Sequence, residues 1–302
     1  MPMYAGLSVL IPVFNRDVNL LVNSLLFQAR DWPGPLEIRL LDDKSTDDYR
    51  QLNRRLADQA GVFYEELPAN VGRAAIRNNL VNSALHNWLL LLDNDSLLPD
   101  GQFIARYAQA LRTMPAARLV IGGTAYEATL PADPALHLRW HYGRAREMRP
   151  AVVRQRDPGG QLTINNALVA GELLHRFPLD ERLSGYGHED TSLGLALARA
   201  GVAVRHLDNP VLHDGLESAE VFLEKSCQAV RNLAQVLRTD GLGTNTRLVR
   251  AATRLHWLGL AGVARSVLAA LAPALRRNLL SAHPSLQALD MLKLCWLLNE
   301  LR

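Results

Sequence analysis

The chain reads as an α/β protein: a mostly parallel sheet with helices on both faces, followed by a C-terminal α-helical extension. Three observations predict this. Strand-like and helix-like segments alternate through the first 125 residues, the order that builds parallel sheets. The strand-like segments are apolar runs without polar alternation, which suits strands covered on both faces. Beyond residue 239 only helical periodicity remains.

Each element follows in order. Leu7 to Phe14 is a buried strand, and Asp17 to Ala29 a helix with Leu20, Leu21, Leu25 and Leu26 to one side. Trp32-Pro33-Gly34-Pro35 is a turn. Leu36 to Leu41 is a strand ending in Asp42-Asp43. Ser45-Thr46-Asp47-Asp48 opens a helix with small polar caps and first-turn carboxylates. It runs to Ala60, and Val62 to Leu67 is a strand. Arg73 to His86 is helical, and Trp88 to Leu92 is a strand ending in Asp93-Asn94-Asp95. Pro99-Asp100-Gly101 opens another helix, before a strand at Arg118 to Ile121. Residues 126–160 are loop and helix over the open end of the sheet. Leu162 to Ala170 is a strand, 177–190 a loop, Thr191 to Ala200 a helix stopped by Gly201, and Val202 to Leu207 a strand. Thr239 to Thr246 is a linker between a domain at 1–238 and an extension at 239–302. The extension holds two or three amphipathic helices, broken near Pro273 and Pro284.

Composition narrows the class. The 302 residues are 48% hydrophobic and 21% charged, which allows a substantial core and argues against disorder. Net charge is only +3, and no nucleic-acid partner is expected. From Val236 to Arg302, nine Lys/Arg face three Asp/Glu, a local excess of six. Such a tail fits an anionic neighbour such as a membrane surface, or a solvated helix face, or dimer packing. Cys227 and Cys295 lack metal-type spacing and fit a reducing cytoplasm. No signal peptide is recognisable at the start of the sequence. The apolar stretch Trp257 to Leu275 contains Arg265 and Pro273 and is not read as a membrane span.

The acids carry the functional argument. Asp42-Asp43 and Asp93-Asn94-Asp95 both close apolar strands, and ligands of open α/β sheets bind outside the carboxyl ends of strands. Two carboxylates on a tight turn offer hard oxygen ligands to Mg²⁺ or Mn²⁺, with coordination positions left for diphosphate oxygens. Such an ion stabilises the charge on a departing nucleoside diphosphate.

Five segments, in order, resemble the motifs of family-2 inverting glycosyltransferases. They are Ser8-Val9-Leu10-Ile11-Pro12-Val13-Phe14-Asn15-Arg16, Leu41-Asp42-Asp43-Lys44-Ser45-Thr46-Asp47 and Asn70-Val71-Gly72-Arg73-Ala74-Ala75-Ile76-Arg77-Asn78. Asp93-Asn94-Asp95 and Gly185-Tyr186-Gly187-His188-Glu189-Asp190 complete the set. The resemblance covers about residues 5 to 215 and implies the GT-A (Rossmann-like) fold. It implies donor binding by Pro12, Phe14, Asn15, Asp42, Asp43, Arg73, Asp93 and Asn94. Asp42 would contact uracil or ribose, Arg73 base or diphosphate, and Asp93 ribose or donor sugar. Arg77 and Asn78 are the structural members. Asp95 and His213 are the implied metal ligands. Lys44 stands where the family usually has glycine, and is read as a solvated turn residue or a phosphate contact.

By the same resemblance Asp190 is the base that deprotonates the acceptor hydroxyl, and Glu189 positions it or the acceptor. The alternative is two helix-start carboxylates complementing the macrodipole. His188 lines the loop. Trp140, His141 and Tyr142 stack on an acceptor sugar or fill a core, and Asn165-Asn166 are candidates for the donor sugar.

The function implied is transfer of a sugar from a nucleotide-diphosphate donor, with UDP favoured by family frequency alone, to a hydroxyl of a glycan or lipid-linked acceptor. The cofactor is Mn²⁺ or Mg²⁺. The expected setting is cytoplasmic, with peripheral contact at the inner membrane face through the C-terminal helices, or a homodimer. A catalytically silent nucleotide-sugar-binding or scaffolding relative is the alternative, which the acids at 93, 95, 189 and 190 argue against. A nucleotidyltransferase would carry a Gly-rich basic loop after the first strand, and Asn15-Arg16-Asp17 is not one.

Overall fold

The computed structural model describes residues 5–182, 189–240 and 246–301. Its contacts divide the chain into two units, one of residues 1–126, 147–181 and 193–215, the other of 127–146, 182–192 and 216–302. The expected boundary at 238 falls close to the end of a helix, Ala219–Asp240, that belongs to the second unit.

In the first unit the strands are β1 (Leu7–Val13), β2 (Leu36–Asp42), β3 (Val62–Glu66), β4 (Trp88–Leu92), β5 (Ser96–Leu97), β6 (Leu119–Ile121), β7 (Thr124–Ala125), β8 (Asn166–Ala170), β9 (Val204–His206) and β10 (Val211–His213). The helices of the chain are α1 (Asn19–Gln28), α2 (Asp47–Arg54), α3 (Arg73–Ser83), α4 (Phe103–Thr113), α5 (His137–Tyr142), α6 (Ala151–Arg154), α7 (Gly171–Arg176), α8 (Glu189–Arg199), α9 (Ala219–Asp240), α10 (Arg247–Trp257), α11 (Ala261–Leu279) and α12 (Leu286–Glu300).

Seven strands form one sheet in the order β3-β2-β1-β4-β8-β6-β9. All neighbours pair in parallel except β8, which runs antiparallel to β4 and β6. The alternation of buried residues shows why these segments are strands. Leu7, Val9, Ile11 and Val13 enter one core with Leu21, Leu25 of α1 and Phe103, Tyr107 of α4. Leu10 enters the opposite core with Ile76, Leu80 of α3 and Leu193, Leu197 of α8. β4 divides likewise, Trp88, Leu90 and Leu92 to the first face and Leu89 and Leu91 to the second. A strand apolar at every position is therefore covered on both sides.

The chain leaves β1 for β2 on one side and reaches β4 on the other. This puts a topological switch point at the carboxyl end of β1. The register pairs Val13 with Asp42, so β1 and β2 end at one level, and Leu10 with Leu91, so β4 stops two residues earlier and its acidic turn runs alongside the end of β1. A second, three-stranded sheet has the order β5-β10-β7, and its first strand follows β4 after three residues.

The second unit has its own apolar core. Val230, Leu233 and Ala234 of α9 pack with Val249 and Ala252 of α10 and Leu297 and Leu298 of α12. Leu138 of α5, Phe222 and Leu223 of α9, and Leu289 and Leu292 of α12 form a neighbouring cluster. Thr246 caps α10, its hydroxyl accepting from the Val249 N–H at 3.2 Å. Most of the predicted linker, 241–245, lies outside the described residues. The break expected at Pro273 is not found, since α11 continues through it. Proline removes the bond to the carbonyl of Ala269 and crowds it; alanines at 269, 270, 272 and 274 surround the ring with small side chains. Among the described residues no helix is long and apolar enough to cross a membrane.

Candidate active site

The crevice beyond β1, β2 and β4 is built from three turns. After β1, Asn15 adopts a left-handed backbone (φ 48°), a conformation asparagine tolerates better than most residues. Its N–H donates to Ser45 Oγ (2.9 Å) and its side-chain oxygen accepts from the Thr46 N–H (2.8 Å), which ties the first turn to the second. Asn94 closes the other side by donating to the carbonyl of Phe14 at 3.3 Å. Phe14 itself is 49% exposed. Pro12 is the penultimate residue of β1.

After β2, Lys44 also has positive φ, 66°, which is the physical reason glycine suits this place. The two aspartates before it face inward. Asp42 has no exposed surface, and its carboxylate accepts from the Ser45 N–H (2.7 Å) and the Tyr64 hydroxyl (3.2 Å). Burial and the charge of Asp42 push the Tyr64 phenol up, which keeps it a donor. Each carboxylate oxygen has accepting capacity left, but with no exposed surface Asp42 reaches a donor only if the turn around it shifts. Asp43 accepts from the backbone N–H groups of Val71 (2.6 Å) and Gly72 (3.2 Å), while its carbonyl accepts from Asn70 (3.1 Å). It thereby holds the loop that delivers Arg73, and Gly72 (φ 86°) makes the turn into α3.

After β4, Asp93 is bonded by Arg77, whose guanidinium also donates to the carbonyl of Arg73 at 3.0 Å. Arg73 lies 3.8 Å from the other Asp93 oxygen. Arg77 is buried, so its role is to fix Asp93, which supports its structural assignment. Asn78 is structural as well, since its amide pins Leu179 through both backbone groups and reaches Glu181 at 2.7 Å.

Asp95 and His213 meet although they are far apart in sequence. β10 pairs antiparallel with β5, placing His213 opposite Ser96, and Asp214 donates its N–H to the Asp95 carbonyl at 2.8 Å. His213 Nδ1 then lies 3.4 Å from Asp95 Oδ2. Burial pushes the Asp95 carboxyl up, but the His213 hydrogen bond and the charges of His213, Arg73 and Arg16 outweigh it and hold Asp95 below the usual carboxylate range. Five nearby residues were not among the expected site residues. Arg16 pairs with Asp214 at 2.5 Å. Tyr126 packs its ring 5.3 Å from that of His213 and donates its hydroxyl to Glu147. Gly215 sits so close that an added Cβ would lie 2.7 Å from Asp95 Oδ2. The only prior signal for Asp214 and Gly215 is that they follow His213 directly.

The donor set fits a hard divalent cation. Two ligands 3.4 Å apart can share one ion at bonds of ~2.1 Å, and glycine at 215 puts no side chain against Asp95 Oδ2. Among the described residues no cluster of three His, Cys, Asp or Glu could hold a metal. Further coordination would thus come from a ligand such as diphosphate.

The remaining expected residues divide. Asn166 is wholly buried, its amide donating to the carbonyls of Gly123 and Asn209 and accepting from the Tyr107 hydroxyl at 2.7 Å. It is committed to the interior and not open to a donor sugar. Asn165 donates to Thr124 at 2.8 Å, and its buried side-chain oxygen has no partner among the described residues. Tyr142 packs against Phe222 in the helical unit, with Lys293 over both rings. Trp140 donates to the Glu127 carbonyl at 2.9 Å beneath Arg144. Glu189 and Asp190 form the first turn of α8 and belong to the second unit. Residues 183–188, with His188 and the Gly-Tyr-Gly segment, lie outside the described residues.

The chain matches the model of glycosyl transferase family 2 over residues 8–155. Its fold is that of the GT-A glycosyltransferases. It is similar to a mannosyltransferase from Pyrobaculum calidifontis in complex with GDP-Man and Mn²⁺ (18% identity, 96% of this chain and 79% of that one, TM-score 0.56). It is also similar to glucosyl-3-phosphoglycerate synthase from Mycobacterium tuberculosis in complex with Mn²⁺, UDP and glucosyl-3-phosphoglycerate (18% identity, 80% and 82% covered, TM-score 0.54). A third similar structure is S. aureus TarS 1–349 in complex with UDP (17% identity, 98% and 90% covered, TM-score 0.51). No curated protein sequence matches this one.

Proposed function

We infer that this chain is a metal-assisted inverting glycosyltransferase that moves a sugar from a nucleoside diphosphate, UDP in the first instance, to a hydroxyl of a glycan or lipid-linked acceptor. The observation that carries this is the Asp95–His213 pair, 3.4 Å apart at the carboxyl end of β4, where α/β sheets take their ligands. Asp95 and His213 would hold Mn²⁺ or Mg²⁺, which when bound offsets the charge of the leaving diphosphate.

Each remaining residue acts through its own geometry. Phe14 offers a half-exposed side chain to the base, Asn94 holds its carbonyl, and Asn15 ties the turn after it to Ser45 and Thr46. Asp42 and Asp43 act mainly by shaping the turn and the Arg73 loop. Asp93, held by Arg77, hydrogen-bonds the ribose or the donor sugar, and Arg73 reaches the base or the diphosphate. Asn165 has one carbonyl oxygen left to accept from a sugar hydroxyl. Asp190 takes the proton of the acceptor hydroxyl as it attacks the anomeric carbon, on the face opposite the departing diphosphate, and Glu189 positions it. The support for Asp190 is its place in the sequence motif and in the first turn of α8.

The test begins with thermal shift against a panel of nucleotide-sugars with Mn²⁺, since a ligand of the folded state raises the melting temperature. Transfer is then measured for the wild type and for Asp95→Ala, His213→Ala and Asp190→Asn. The first two lose Mn²⁺-dependent donor binding, whereas Asp190→Asn keeps binding and loses transfer. Wild-type transfer by Asp190→Asn removes the base assignment. Binding of donor without transfer or hydrolysis in the wild type favours the silent relative, and no nucleotide binding at all ends the reading.

A further inference from the structure

The helical unit carries one surface that its packing does not explain. α11 has two apolar stripes. Leu268, Leu279 and the flanking Ala261, Ala264, Ala272 and Leu275 pack into the cores of the unit. The other stripe, Val263, Val267 and Leu271, recurs at the same helical spacing but is 64%, 52% and 42% exposed. Just before it in the chain, at the end of α10 and in the turn to α11, Trp257 is 84%, Leu258 57% and Leu260 48% exposed. Exposed apolar side chains are ordinary singly, but six of them within residues 257–271, a tryptophan included, mark an interaction surface.

The charge around this row selects the partner. Residues 241–289 contain six arginines (Arg247, Arg250, Arg254, Arg265, Arg276 and Arg277) and no aspartate or glutamate. Arg250 and Arg254 are exposed on α10, and Arg276 and Arg277 on the last turn of α11. Among the described residues none of the six makes an ion pair. A self-associating face of this kind would bring arginines against arginines with no acid to separate them, whereas an anionic lipid surface matches both the charge and the apolar row. No described helix can span a bilayer, and α11 carries three arginines in its 19 residues. A helix of this kind lies in the interface with its apolar stripe in the acyl boundary and its cations among the headgroups. Tryptophan is the side chain suited to that depth.

We propose that the row from Trp257 to Leu271, with the arginines of α10 and α11, docks this protein on the surface of an anionic phospholipid bilayer. The inference rests on the helical unit alone and stands independently of the glycosyl-transfer chemistry.

The experiment is flotation of the full chain with vesicles of phosphatidylglycerol and phosphatidylcholine in equal parts, against vesicles of phosphatidylcholine alone. Binding is expected to the anionic vesicles only, and to fall as salt rises. Val263→Asp/Val267→Asp and, separately, Arg250→Glu/Arg254→Glu should each lower the bound fraction by about tenfold. All four positions face solvent, so the melting temperature should not move; it is measured as the fold control, together with Trp257→Ser as a third, uncharged variant. Failure to float with anionic vesicles overturns the proposal, as does flotation unaffected by all three variants. Sedimentation velocity gives the remaining outcome: a dimer dissociated by Val263→Asp/Val267→Asp, in a protein that does not float, assigns the row to a second copy and overturns lipid docking.

Discussion

Arg77→Met tests the part of the site whose geometry is most completely defined. Methionine preserves most of the buried chain volume but removes the guanidinium that bonds Asp93 and the Arg73 carbonyl. Arg73, 3.8 Å away and 41% exposed, is too loosely placed to replace it. Removing one partner of a buried ion pair costs ~3–5 kcal/mol, because the other charge stays buried without compensation. Asp93 keeps 19% of its side chain exposed, so water recovers part of this and the lower end, ~3 kcal/mol, applies. At roughly 2–4 °C per kcal/mol for a domain of this size, the melting temperature should fall by about 6–12 °C. Thermal unfolding followed by circular dichroism reads this directly. The cycle with Asp93→Asn should show a coupling above ~1 kcal/mol between the two sites. A melting temperature within ~2 °C of wild type, or strictly additive single effects, refutes the claim that Arg77 exists to hold Asp93.

Three further outcomes are expected. Asp42→Ala strands the Ser45 N–H and the Tyr64 hydroxyl, and should lower stability by ~2 kcal/mol in urea unfolding, with Asp42→Asn losing less. Gly215→Ala forces a Cβ to within 2.7 Å of Asp95 Oδ2 and should weaken Mn²⁺ binding in the presence of UDP by about tenfold in titration calorimetry; unchanged affinity would remove Gly215 from the cation cradle. Glu37 supplies a pH test away from the site. Burial pushes its carboxyl up, but bonds from Ser8, the Leu85 N–H and Arg39 outweigh this and leave it below its ordinary value of 4.5. A carboxylate with a depressed folded-state pKa stabilises fully above that ordinary value, and the contribution is lost as pH falls through the lower folded value. The stability gap between wild type and Glu37→Gln should therefore be constant near neutrality and close below about pH 4; a gap that widens on acidification would contradict it.

Local chemistry made much of the fold legible. Trp88 to Leu92 is a strand with the predicted bounds, because five consecutive apolar residues followed by a polar turn have few other ways to be buried. Gly201 ends α8 with positive φ, as a glycine after a helix should. At Pro273 local reasoning failed, because the lost hydrogen bond is one term and the packing of Leu268 and Leu279 on either side outweighs it. The antiparallel direction of β8 was likewise hidden, since an apolar strand carries no mark of its direction.

The candidate site divides along the same line. Composition and motif order by themselves determined that acids close β2 and β4 and that a mostly parallel α/β sheet lies beneath them. Those features depend on neighbours in sequence and on the period of the strand. Only the tertiary structure decided how the acids are used. Asp42 and Asp43 turn inward because unsatisfied N–H and O–H groups lie within their reach. Asp93 is held by an arginine one helix earlier, and Asp95 meets His213 because two short strands pair antiparallel. Such meetings depend on the register of distant segments, which a one-residue slip would undo.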